Sequence, residues 1–266
     1  PGYGEKRKRD GDLRTYQQNK GMSVSDFTFN ENNPVDVNYA MQYMLQIGAQ
    51  LNGLHDQGIS HFDAKLENML IRQVNGHPVF TLIDCPLVGE TATPSKAMKK
   101  SPTMTLGLSC PPHTREVKKK DPKDPEKTVV IRTDSWSNGL YRSQDGKGDP
   151  QPEKDRIDKI WLQEGDENPI ATKYWKSEKR FTGHVDDSYA YLRGLYLISC
   201  AARNEQLFDF AIEKMQELAN QTLAYVEDDT QKSWPEGNLT VARIQKEFAE
   251  YCNNKPSLQA AFKVAK

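Results

Sequence analysis

A small set of side chains early in the chain has the types and the spacing to transfer a phosphoryl group. Asp63, Lys65 and Asn68 fall within the run His61-Phe62-Asp63-Ala64-Lys65-Leu66-Glu67-Asn68, and Asp84 opens the tripeptide Asp84-Cys85-Pro86 after an apolar stretch. Phosphoryl transfer asks for a carboxylate to orient the attacking hydroxyl and a cation to meet the charge on the transferred phosphate. It also asks for hard oxygen ligands to hold magnesium. One short loop and one strand end supply all of these.

They act together only if the fold brings Asn68 and Asp84 to one place. Met69-Leu70-Ile71 and Val79-Phe80-Thr81-Leu82-Ile83 are apolar runs with Asn75-Gly76 between them. Asn-Gly between apolar runs predicts a tight hairpin, because both residues tolerate positive φ. Such a hairpin returns Asp84 to Asn68. Upstream, Val37, Met41, Met44, Leu45, Gly48, Leu51 and Leu54 recur at three- and four-residue steps, which predicts one long helix over Val35–His55, ended by Gly58, to hold the loop's backbone.

Around this centre the chain reads as mainly α (α+β). Residues 1–12 are a polar, flexible lead-in carrying the basic run Lys6–Arg9; Gly2-Tyr3-Gly4 lacks the strand and helix a phosphate loop needs. Asp12 reads as the cap of a helix start, and Gly21 to Pro34 as a polar loop. Residues 88–156 are rich in Lys, Pro, Asp, Gly and Ser. Pro111-Pro112, Pro122 and Pro125 argue against long elements there, one short strand is expected at Thr128–Thr133, and Asn138-Gly139 or Asp145-Gly146 could turn a hairpin. Asp155–Gln163 is at best a short helix. Leu195–Ala202 is apolar all round, as a buried helix is, and Phe208–Val226 and Leu239–Tyr251 are amphipathic helices.

Composition narrows the classes. The formal net charge of −1 gives no global field toward nucleic acid or membrane. No apolar run approaches the ~20 residues of a membrane span. Cys85, Cys110, Cys200 and Cys252 are widely spaced with no C-x-x-C pair, and no signal peptide is visible, which fits reduced thiols in a cytosol. The chain opens at Pro1 without a methionine, as a piece of a longer protein does.

The loop resembles the catalytic loop of protein kinases, H-R-D-x-K-x-x-N, and Asp84-Cys85-Pro86 resembles the D-F-G that follows it. The resemblance covers roughly residues 11 to 252 and corresponds to the larger, helical lobe, taken as 13–266, with 88–156 as an insertion in the activation segment. It implies Asp63 as the catalytic base and Lys65 on the γ-phosphate of ATP. Asn68 and Asp84 become the Mg²⁺ ligands, and a protein hydroxyl the substrate. His61 becomes a packing residue. Tyr174–Glu178 resembles the Y-x-A-P-E that ends the activation segment, which implies an anchoring ion pair from Glu178 to Arg203 or, preferably, Arg243. Asp187–Leu192 resembles D-V-W-S-L-G, which implies that Asp187 caps the buried central helix and binds the loop backbone near His61.

Several departures shape the expectation. Phe62 stands where kinases carry the arginine that meets a phosphorylated activation loop, so that latch cannot form. Pro86 stiffens the turn after Asp84, and Cys85 reads as an inert buried thiol. The smaller lobe, with its Gly-rich loop, lysine and glutamate, has no room before Asp12 and is expected as a partner supplied from elsewhere in the same protein. The first reading is a Ser/Thr protein kinase lobe. The alternatives are a pseudokinase scaffold that binds a partner through the insertion, or a kinase fold used for another transfer. The insertion's lysine clusters could meet an acidic or polyphosphate partner. The degree of divergence resembles that of kinases that bacterial pathogens deliver into a host cytosol.

Overall fold

The structure, a computed structural model, describes residues 21–84, 110–111, 114–121, 124–134, 160–161, 170–180 and 182–265. In chain order the elements are β1 (Met22–Ser23), α1 (Val24–Thr28), α2 (Val37–His55), a 3₁₀ turn (Leu66–Asn68), β2 (Met69–Val74) and β3 (His77–Leu82). They continue with β4 (Thr114–Asp121), β5 (Asp124–Asp134), α3 (Ile170–Lys176), α4 (Gly183–Ala201), α5 (Glu205–Glu227), α6 (Val241–Asn253) and α7 (Pro256–Ala265). The molecule is mainly α with a small antiparallel sheet. No helix among the described residues is long and apolar enough to cross a membrane. The expectations for the lead-in over 1–12, the Asp12 cap, Cys85-Pro86, the two Asx-Gly turns after residue 137 and most of 155–163 lie outside the described residues.

Helix α2 starts where Asp36 caps it, its Oδ1 accepting from Tyr39 N at 2.8 Å. It presents Tyr39, Tyr43, Met44, Ile47 and Leu51 to the core. The expected hairpin forms beside it. Asn75 (φ 52°) and Gly76 (φ 80°) both take positive φ, as a two-residue turn of this hand requires. The register runs from Met69 opposite Leu82 to Val74 opposite His77. β1 closes the far side by pairing Met22 with Ile71 and Ser23 with Leu70. Gly21 enters it at φ 116°, where a Cβ would overlap the Ile71 carbonyl.

Helix α4 is the buried spine, with every residue from Val185 to Ser199 out of solvent. Its amphipathic neighbours α5 and α6 and the opposing α2 cover it. Two close approaches fix the crossing with α2. Gly194 faces the Tyr43 hydroxyl, which donates to Tyr191 O at 3.1 Å, and Gly48 faces the Tyr191 hydroxyl, which donates to Met44 O. A Cβ at either glycine would overlap these groups.

Two expectations change, and one helix is new. The stretch read as a polar loop over 21–34 contains β1 and α1, the latter capped by Ser23 Oγ, which accepts from Asp26 N at 3.0 Å. The short strand at 128–133 belongs to the longer β5, paired backward with β4 and not forward through a later turn. Pro125 does not prevent this. It falls beside the register shift between Asp121–Asp124 and Lys120–Thr128, where no ladder donor is needed. Helix α7, which follows α6, packs against α2 and was not expected.

Candidate functional site

The loop between α2 and β2 is held from behind by one carboxylate. Asp187, fully buried in α4, accepts from His61 N at 2.9 Å and from Phe62 N at 2.8 Å; His55 Nε2, in the last turn of α2, lies 2.8 Å from its Oδ2. These bonds pin a strained turn, since Phe62 is a non-glycine residue at φ 61°, a conformation that costs about 1–2 kcal/mol. The expected contact of Asp187 with the loop is present. Its expected role as a cap is not: α4 begins at Gly183, a turn before Asp187, and Thr182 occupies the cap position without a side-chain cap bond. Phe62 is wholly buried, so the residue in the arginine's place packs in the core.

Next come the polar groups of the loop. Asn68 Nδ2 donates to Asp63 O at 2.9 Å and to Asp63 Oδ2 at 2.7 Å, and Lys65 Nζ lies 3.4 Å from the same Oδ2. Backbone bonds Lys65 N to Asp63 O and Asn68 N to Lys65 O, both 2.9 Å, fold the segment tightly enough to bring the three together. Asp63 is 6% exposed and its Oδ1 is buried with no partner.

The hairpin then returns Asp84. Ile83 N donates to Asn68 O at 2.9 Å, and Ile83 O lies 3.1 Å from His61 Nε2, so the residue before Asp84 is tied to both ends of the loop. Asp84 is exposed and takes φ 53°, a second non-glycine residue in the left-handed region. Strain of this kind persists only where the surroundings over-determine it, and it clusters at functional sites. A hollow of about 420 Å³ opens between α2 and the end of β3, with Leu54, Gln57, His61 and Asp84 on its wall. Among the described residues it meets the site through His61, Ile83 and Asp84.

No family model, curated protein or solved structure matches this chain. The functional reading therefore rests on these residues and their geometry.

The donor set can be tested for magnesium. Both hydrogen bonds of the Asn68 side chain use Nδ2, which leaves Oδ1 as the atom to face a cation, and Asp84, next in the chain to the Ile83 that bonds Asn68 O, adds an exposed carboxylate. Two oxygen donors suit Mg²⁺, which is held by one or two protein groups while substrate phosphates and water complete its shell. No cluster of three or more His, Cys, Asp or Glu side chains that could form a closed metal cage occurs among the described residues.

The segment ahead of α4 is anchored differently from the expectation. Arg243 does not reach Glu178: its Nε lies 2.7 Å from Glu247 Oε1, one helical turn along α6, and its Nη2 3.4 Å from Glu217 Oε1 of α5. Nor is Arg203 paired with Glu178. The anchor is the next residue, Lys179, whose Nζ donates to Tyr225 O and Asp228 O at 2.5 Å each. These carbonyls end α5, where the helix dipole favours a cation.

Behind the anchor, the Tyr174 hydroxyl donates to Asp186 Oδ2 at 3.0 Å. Burial raises the Asp186 carboxyl well above the usual carboxylate range, against the lowering effect of the Tyr174 bond. The folded state thus keeps a proton that the unfolded chain releases. Stability from this group is present at acid pH and lost as pH rises toward the folded value. Asp186→Asn keeps an acceptor for Tyr174 and cannot ionise. Its melting temperature, relative to wild type, should rise between about pH 5 and pH 8; a constant difference across thermal melts in that range would contradict the assignment.

Proposed function

We propose that this chain carries the catalytic loop of a Ser/Thr protein kinase-like enzyme, transferring the γ-phosphoryl group of ATP, with Mg²⁺, to a protein hydroxyl. The observation that carries the reading is the convergence of Asp63, Lys65 and Asn68 in one loop, joined through Ile83 to an exposed Asp84.

Each side chain then has a task. Asp63 orients the acceptor hydroxyl and takes its proton as the new O–P bond forms and the bond from phosphorus to the β,γ-bridging oxygen breaks; ADP leaves with that electron pair. Lys65 Nζ, beside Asp63, meets the negative charge of the transferred group. Asn68 Nδ2 fixes the Asp63 carboxylate, and Asn68 Oδ1 and Asp84 would hold the cation. A magnesium ion held there would supply positive charge to the phosphates of the nucleotide. The buried Phe62 offers no cation to a phosphorylated segment, so the loop's geometry is set by Asp187 and not by phosphorylation.

The test is transfer of ³²P from γ-labelled ATP by the full-length protein, wild type and Asp63→Asn, with Mg²⁺ and a mixed protein substrate. Loss of the base should cost on the order of 10²–10⁴ in rate, with the melting temperature little changed. Equal incorporation by wild type and Asp63→Asn would remove the reading. Absence of incorporation in both, with no thermal shift on adding Mg-ATP, would favour a scaffold.

A further inference from the structure

Asp187 is shared between the catalytic loop and a pair of imidazoles. His55 lies 2.8 Å from its Oδ2, and the His184 ring packs edge-on against the His55 ring with centroids 5.2 Å apart. His184 is in the first turn of α4, three residues before Asp187, and its Nδ1 is buried without a partner. The first turn of α4 has no side-chain cap; the Thr182 carbonyl, which accepts from Val185 N and Asp186 N, and the Tyr174 bond to Asp186 hold it, and none of these bonds involves the His184 side chain.

We propose that His55, Asp187 and His184 form an acid-sensitive latch on the loop that carries Asp63. Proton uptake at His184 opens the first turn of α4 and loosens the hold of Asp187 on the amides of His61 and Phe62. As regulation of phosphoryl transfer this rests on the function proposed above; as a conformational latch it does not.

The electrostatics give the sign. A proton on His184 is opposed by burial first and by His55 second, and the positive end of the α4 dipole adds to this; Asp187 pulls the other way. The result pushes His184 down to about 4 from 6.5. The closed latch is therefore fully stable above the unfolded value and weakens as pH falls through the interval between the two. The groups facing His184 are His55 of α2 and Asp187 of its own helix. His61 of the loop turns its Nε2 to Ile83 O, and Asp186 is turned to Tyr174 of α3.

The strained φ of Phe62 supplies the recoil. With its amide released, a left-handed non-glycine residue relaxes toward the favoured region, and the Asp63 carboxylate moves with it.

Hydrogen exchange of the full-length protein, read by mass spectrometry on peptides covering 61–63 and corrected for intrinsic rates, tests the latch. Protection there should fall on the order of tenfold between about pH 7 and pH 5. His184→Gln, which keeps a polar side chain that cannot titrate, should abolish the fall in protection on acidification; His77→Gln, at an exposed position in β3, should leave it intact. Wild-type protection that does not fall on acidification overturns the proposal, and so does an unchanged fall in His184→Gln. If His184→Gln does not fold, NMR titration of the His184 ring decides: a ring titrating at the ordinary imidazole value overturns the latch. None of these readouts needs ATP, so failure of the kinase reading and failure of the latch are separable.

Discussion

Asp187→Ala should lower the melting temperature by roughly 10 °C, combining a loss of about 3–5 kcal/mol for breaking a buried charged set with the usual dependence of melting on stability. The substitution leaves two loop amides and His55 without their acceptor at a position with no solvent exposure. It also leaves Phe62 in its left-handed conformation without the bond that pins its amide. Water cannot repair this without opening α4. Asp187→Asn separates shape from chemistry. Asparagine keeps one oxygen, but its NH₂ would face a backbone N–H, so it should recover less than half of the loss. Differential scanning calorimetry of the three proteins checks the order; an alanine variant melting with the wild type would show that the loop does not depend on this carboxylate.

What could be read in the sequence was whatever is local. The hairpin was legible because Asn75-Gly76 sits between apolar runs and encodes its own turn. The span of α2 was legible because its apolar side repeats with the helical period. β1 and α1 were not, since a two-residue strand has no period and Val24–Thr28 is a single turn. Helix α7 carried a signal that was not used: Pro256 at its first position, with Leu258 and Phe262 one turn apart facing the core. Side-chain partners across long separations were harder. The pairing of Asp187 with the loop came from the resemblance of two motifs. The pairing of Glu178 with an arginine, drawn from the same resemblance, failed because Arg243 has a nearer partner one turn along its own helix, the arrangement that i,i+4 spacing favours. His55, His184 and Lys179 were missed altogether. Only helix ends mark them: His55 and Lys179 lie at helix C-termini that favour cations, and His184 at an N-terminus that does not.

A larger loss is expected from Gln46→Leu combined with Gln50→Leu, because these side chains serve as the missing fourth strand of the sheet. Gln46 Nε2 donates to Pro78 O at 3.0 Å and its Oε1 accepts from Phe80 N at 2.9 Å. Gln50 Nε2 donates to Phe80 O at 3.0 Å and its Oε1 accepts from Leu82 N at 2.9 Å. Four residues along a helix rise about 6 Å and two along a strand about 6.8 Å, so consecutive turns of α2 meet alternate residues of β3. Each glutamine amide thus takes the place of a peptide group on the open edge. Pro78 fits this edge because its position has no N–H to satisfy. Leucines would strip partners from two donors and two carbonyls, each worth about 1–3 kcal/mol if left dry. The site is partly open, so water recovers some of this, and about 4–6 kcal/mol for the pair is the expected loss. The effect should also be local. Leu82 precedes Ile83 and Asp84, so releasing this edge frees the strand end that returns Asp84 to Asn68. Amide exchange at Phe80 and Leu82 should accelerate more than at Met69 on the inner strand. Equal protection at Phe80 and Leu82 in the double variant and the wild type would mean that the glutamines only decorate an edge that is stable without them.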